Sequence, residues 1–130
     1  KGNNILLTRE GNVKLADFGV SHHIEDTLRC NQILGSPLWL PPEAVTGDTT
    51  SPASAIDDKA DIWSLAITAV EIAEGEPPYC GFSRLRVMRS IALNPPPVKA
   101  LKLPFWSSMF KQWLTKCLVK DPKRRPAAID

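Results

Sequence analysis

The chain has 130 residues, 43% hydrophobic and 23% charged, with a formal net charge of +2. That is enough for one globular unit with a core. The near-neutral charge gives no electrostatic reason to invoke a nucleic-acid partner. Cys30, Cys80 and Cys117 are odd in number, far apart and without a C-x-x-C pairing, so they read as reduced thiols of a cytoplasmic protein rather than a disulfide or zinc set. No signal peptide is visible at the start.

The first predicted element is a β-hairpin. Ile5-Leu6-Leu7 forms a short apolar strand, Thr8 to Asn12 a polar turn, and Val13-Lys14-Leu15-Ala16 an alternating second strand. Folding the strands together brings Asn4 and Asp17 to the same open end. An amide oxygen beside a carboxylate suits Mg²⁺, which keeps several waters and completes its shell from substrate phosphates. Lys1, three residues before Asn4, adds a cation where a phosphate would arrive.

The next predicted element is a helix around Ile62 to Val70. Its apolar run is bounded by Asp61 and Glu71 and falls far short of the ~20 residues a membrane span needs. Apolar residues lie on every side from Ala60 to Ala73, so the helix is expected to be covered all round. Asp57 and Asp58 place carboxylates near its start, and Gly75 with Pro77-Pro78 ends it. A second helix is expected from Ser83 to Leu93, with Leu85, Val87, Met88, Ile91 and Ala92 on its apolar face and Asn94-Pro95-Pro96-Pro97 as terminator. Pro104 is expected to open a third, whose wide face runs from Phe105 and Trp106 through Met109, Phe110, Trp113 and Leu114 to Cys117 and Leu118. Aromatics at this spacing read as core packing rather than a ligand box. Lys120 to Arg125 reads as a solvated basic loop, with phosphate binding as the alternative.

Set in order, Lys1-Gly2-Asn3-Asn4, Asp17-Phe18-Gly19, Gly35-Ser36-Pro37, Pro42-Glu43, Asp61-Ile62-Trp63-Ser64 and Arg125-Pro126 form a specific pattern. D-F-G alone is weak, but independent matches at compatible spacings multiply. The whole chain resembles the C-terminal lobe of a eukaryotic protein kinase. Lys1 resembles the Ser/Thr-specific form of the catalytic loop. Lys1 to Thr8, Val13 to Leu15, Asp17 to Ser21, Asn94 to Pro97 and Cys117 to Asp121 are similar to the sterile-20-like group, including germinal-centre-type kinases and the kinase domain of class III myosins.

The resemblance implies an α+β fold, mostly helical: the hairpin, an activation segment from Asp17 to Glu43, then a helical bundle. It implies a partial domain over residues 1–130, with the N-terminal lobe, the catalytic aspartate just upstream of Lys1 and the last helix missing. It also implies ATP-dependent phosphoryl transfer to protein Ser/Thr hydroxyls. Asp17 and Asn4 would ligate Mg²⁺, Lys1 would neutralise charge on the moving phosphoryl group, and Leu6 would floor the adenine. Ser36, Pro37 and Leu38 would shape the acceptor pocket, with Ser36 near Lys1. Asp61 would hold the catalytic-loop backbone, although as a plain helix residue it is a first-turn carboxylate. Arg125 would pair with Glu43 in a buried bidentate contact anchoring the activation segment.

Two departures stand out. Gln32 occupies the position where related kinases carry a phosphorylatable residue, which implies activation that needs no phosphate there, with Thr27 the remaining candidate nearby. Pro41 replaces the family's alanine and stiffens the loop. Two other readings remain: a pseudokinase acting as an allosteric interaction module, and an unrelated metal-binding or interaction domain with a chance D-F-G.

Overall fold

The computed structural model describes residues 1–19, 21, 36–47, 57–102 and 106–129. Strands β1 (Ile5–Leu7) and β2 (Val13–Leu15) form a two-stranded antiparallel sheet. Ile5 faces Leu15, Leu6 faces Lys14 and Leu7 faces Val13. The second strand ends one residue earlier than expected, yet the Ala16 amide still donates to the Asn4 carbonyl at 2.9 Å. Gly11 turns the hairpin at φ 84°, in the left-handed region glycine adopts without steric cost.

Among the described residues four α-helices follow: α1 (Pro42–Thr46), α2 (Lys59–Glu74), α3 (Arg84–Leu93) and α4 (Ser108–Cys117). The fold is thus mostly helical with one small sheet. Helix α2 is the hub. Ile62, Trp63, Ala66, Ile67 and Val70 pack against Leu114, Cys117 and Leu118 at the end of α4, and all eight are buried. Gly75 stops α2 in the left-handed conformation, and its amide donates to the Glu71 carbonyl at 2.8 Å. At the other end the Lys59 amide donates to Asp57 Oδ1 at 2.9 Å. Among the described residues no helix is long and apolar enough to cross a membrane.

Several expectations are corrected. Helix α2 is not covered on every side, since Leu65 and Ile72 lie exposed on one stripe. Composition cannot distinguish an apolar residue facing the core from one facing outward. On α3, Val87 and Ile91 are buried, but Leu85 points outward. Helix α4 begins at Ser108, where Ser107 Oγ accepts from the Phe110 amide at 3.2 Å, so a serine cap sets the start. The expected opening at Pro104 and Phe105 lies outside the described residues. Met109 is exposed, leaving Phe110, Trp113, Leu114 and Cys117 as the packing face, with Phe110 and Trp113 stacked at 6.1 Å.

The basic loop is also not a uniform solvated patch. Lys120 Nζ donates to the Ala92 carbonyl at 2.7 Å, capping the end of α3, and burial pulls its pKa down. Arg125 is buried at 3% exposure. Within that run only Asp121, Lys123 and Arg124 face outward.

Candidate functional site

A single 3₁₀ turn, Gly2–Asn4, carries the two residues that open the site. The Asn4 amide donates to the Lys1 carbonyl at 2.9 Å, so Lys1 and Asn4 stand at opposite ends of one turn. The hairpin register then sets Asn4 beside Asp17, whose Oδ2 accepts from Asn4 Nδ2 at 3.2 Å. Asp17 has φ 66°, left-handed for a non-glycine residue. Such a conformation costs ~1–2 kcal/mol and is tolerated best by asparagine and aspartate. Here it turns the carboxylate toward Asn4 where the chain leaves β2.

The donor set suits Mg²⁺. Amide oxygen and nitrogen exchange places with a half-turn of the Asn4 side chain, which puts two oxygens side by side. Neighbouring ligands of an octahedral Mg²⁺ are about 2.9 Å apart, close to the 3.2 Å seen here. Among the described residues there is no group of three or more His, Cys, Asp or Glu side chains that could hold a metal. An ion bound by Asn4 and Asp17 therefore needs water or substrate oxygens for the rest of its shell.

On the far side of Lys1 lies Ser36. Lys1 Nζ donates to Ser36 Oγ at 3.3 Å across 35 positions of sequence. Ser36 leads into the 3₁₀ turn Pro37–Trp39, so Ser36, Pro37 and Leu38 sit together at this edge, all half-buried. Leu6 is 51% exposed, as are its neighbours Leu7, Val13, Leu15 and Phe18 to similar or greater degree. Leu6 is therefore not a core residue of the hairpin. Its apolar surface is open for contact.

Two of the remaining site residues, Glu43 and Arg125, lie deeper in the fold, whereas Asp61 is exposed. Arg125 makes a fork-to-fork pair with Glu43, at 2.6 Å from Nη1 to Oε1 and 2.8 Å from Nη2 to Oε2. It also donates to the carbonyls of Val119 (2.8 Å), Lys59 (2.9 Å) and Lys120 (3.2 Å), so all five guanidinium donors are used. The contact ties α1, the start of α2 and the segment after α4 together. Pro41 and Pro42 are buried at the head of α1, where Pro42 takes the first helical position and its missing amide costs nothing. The Asp61 carboxylate accepts no hydrogen bond among the described residues. Desolvation and then the charge of Asp58 raise its pKa. Thr27, Gln32 and Gly35, with the expectations about regulation, lie outside the described residues.

Glu71 was not singled out from sequence. Its Oε2 accepts from the Gly2 amide at 2.9 Å and from Trp39 Nε1 at 3.2 Å. One oxygen in the last turns of α2 thus holds both the turn that carries Lys1 and the turn that follows Ser36. Ser64 Oγ, two turns earlier on the helix, donates to the Trp39 carbonyl at 2.8 Å. A signal was present in the sequence. Ser64, Thr68 and Glu71, at i, i+4 and i+7, form a polar stripe on an otherwise apolar helix.

The comparisons with known proteins agree with this arrangement. The family model "Protein kinase domain" matches residues 1–130. The chain is 43% identical over 131 residues to Myosin-IIIa of Mus musculus, covering 100% of this chain and 8% of that protein. It is 44% identical to Misshapen-like kinase 1 of Rattus norvegicus and 43% identical to Serine/threonine-protein kinase mig-15 of Caenorhabditis elegans, each over 127 residues and 97% of this chain. The chain spans 9% and 11% of the length of those two relatives. It belongs to the protein kinase domain family, with sterile-20-like relatives of the kinds expected from its motifs.

Proposed function

We propose that this chain is part of an ATP-dependent protein serine/threonine kinase that acts in the cytoplasm, where thiols such as Cys80 and Cys117 stay reduced. The observation that carries this reading is the meeting of Asn4 with Asp17 at 3.2 Å and of Lys1 with Ser36 at 3.3 Å, from separate segments, at one edge of the lobe. In this reading Asp17 and Asn4 would hold Mg²⁺, which when bound would supply positive charge to the phosphates of ATP. Lys1 places its ammonium against the charge that spreads over the transferring group. Ser36 keeps that ammonium in place, while Pro37 and Leu38 wall the pocket for the acceptor side chain. Leu6 offers its exposed face to the adenine.

The acceptor hydroxyl oxygen bonds to the γ-phosphorus as the bond to the bridging β–γ oxygen breaks, leaving ADP. The hydroxyl proton passes to the aspartate expected just before Lys1. The other half of the nucleotide cleft would come from the N-terminal lobe that the resemblance implies, and the mostly exposed two-stranded sheet is marginal without such a cover. Residues 1–130 alone are therefore expected to be inactive.

The test is Asp17→Ala in the complete protein, with phosphorylation of a general acceptor such as casein as the readout. Loss of ~10³-fold or more in kcat is expected. Unchanged transfer would sink the metal-ligand assignment. A wild-type protein that binds ATP without transferring phosphate would favour the allosteric-module reading.

A further inference from the structure

We infer that Glu71 is a positioning residue for phosphoryl transfer, setting Lys1 against the acceptor pocket. The inference rests on the kinase reading above. Glu71 Oε2 receives two donors from segments 37 positions apart, Gly2 N–H and Trp39 Nε1–H, at 2.9 and 3.2 Å. Each donor sits next to a functional edge: Gly2 follows Lys1, and Trp39 ends the turn that Ser36 and Pro37 begin. The Lys1–Ser36 contact of 3.3 Å closes the ring on the other side. Breaking the carboxylate junction releases both segments from α2 at once.

Two features make the junction selective. A Cβ at Gly2 would lie 3.1 Å from Glu71 Oε2 and 3.3 Å from its Cδ, so glycine permits this close approach. Asn4 shares the turn with Gly2 but has two further ties, the Ala16 amide to its carbonyl at 2.9 Å and its side-chain contact with Asp17. Loss of Glu71 therefore disturbs Lys1 and the acceptor pocket while the Asn4–Asp17 pair keeps its own support. The expected result is a split in the kinetics, with the transfer step impaired and nucleotide affinity retained.

The experiment compares Glu71→Ala and Glu71→Gln with the wild type in the complete protein, using casein and ATP. The alanine variant is expected to lose on the order of 10²-fold in kcat, the scale of a small misplacement of reacting groups. Its KM for ATP should stay within about twofold. Glutamine keeps an oxygen acceptor in place and should recover most of the loss. Amide exchange by mass spectrometry supplies a readout independent of catalysis: peptides covering residues 1–4 and 36–40 should both exchange faster in Glu71→Ala, and to a smaller extent in Glu71→Gln. A folded alanine variant with wild-type kcat overturns the inference, as does a glutamine variant no better than alanine. So does faster exchange in only one of the two peptides. If Glu71→Ala fails to fold, the glutamine variant decides by whether both peptides respond together. If the wild type transfers no phosphate, the kinase reading falls, and the exchange data still decide whether one carboxylate governs both segments.

Discussion

Removing Arg125 should destabilise this lobe more than removing its partner. The two side chains are 0% and 6% exposed, so neither charge can turn to water when the other is lost. Arg125→Met strands the Glu43 carboxylate, which has no other side-chain partner among the described residues. Breaking a buried pair in this way costs ~3–5 kcal/mol. The carbonyls of Val119, Lys59 and Lys120 also lose a donor, each worth about 1 kcal/mol. Glu43→Leu leaves a guanidinium that keeps those three carbonyls, so its cost should fall near the lower end, about 3 kcal/mol. The double variant has no stranded charge and is left with the carbonyl deficit, roughly 3 kcal/mol.

The double variant should therefore be more stable than Arg125→Met alone. Thermal unfolding of the lobe within the complete protein measures this order; at about 2–4 °C per kcal/mol the total of about 6–8 kcal/mol puts Arg125→Met roughly 12–32 °C below wild type. An Arg125→Met melting point within about 3 °C of wild type would refute the reasoning, since it corresponds to about 1 kcal/mol. A double variant less stable than Arg125→Met would refute it equally, by showing that the carboxylate was never the main cost.

Three shorter expectations accompany it. Ser107→Ala removes the side-chain cap of α4 and should cost ~1 kcal/mol, read as a shift in the same melt, with Ser107→Asp retaining most of the stability. Native alkylation with iodoacetamide, followed by peptide mapping, should label exposed Cys80 well before Cys117, which is buried and whose thiol pKa is pushed up by that burial; equal labelling would contradict the packing of α4 on α2. Asp61 ionises at higher pH in the folded chain than in the unfolded one. Stability is therefore lost as pH rises through the interval between those two values. Asp61→Asn should stabilise the protein above that interval, and the gain should vanish below the ordinary carboxylate range; a gain independent of pH would rule out the electrostatic cause.

Local chemistry made much of the fold legible. The turn residues Gly11 and Asn12 and the short apolar strands define the hairpin, and its register follows. Gly75 and the following prolines stop α2, and Asn94 with its prolines stops α3, because backbone constraints act within a few residues. What sequence misassigned depended on tertiary partners. Lys120 reads as a surface cation until the end of α3 arrives with the Ala92 carbonyl. Leu65, Leu85 and Met109 look like core residues by type, but helix orientation leaves them exposed. The Arg125–Glu43 pairing was accessible only through the resemblance, since 82 positions separate the partners. Glu71 was missed because a carboxylate in the last turn of a helix ordinarily faces water.

The left-handed backbone at Asp17 also bears on how such a site can decay. Asparagine adopts this conformation at least as readily as aspartate, whereas a β-branched or bulky residue is strained there. One base change converts either aspartate codon into an asparagine codon. The mutational step that removes the carboxylate while sparing the fold is thus among the shortest available, and under the proposed function it would discard the charge at Asp17 and keep an intact scaffold for other uses.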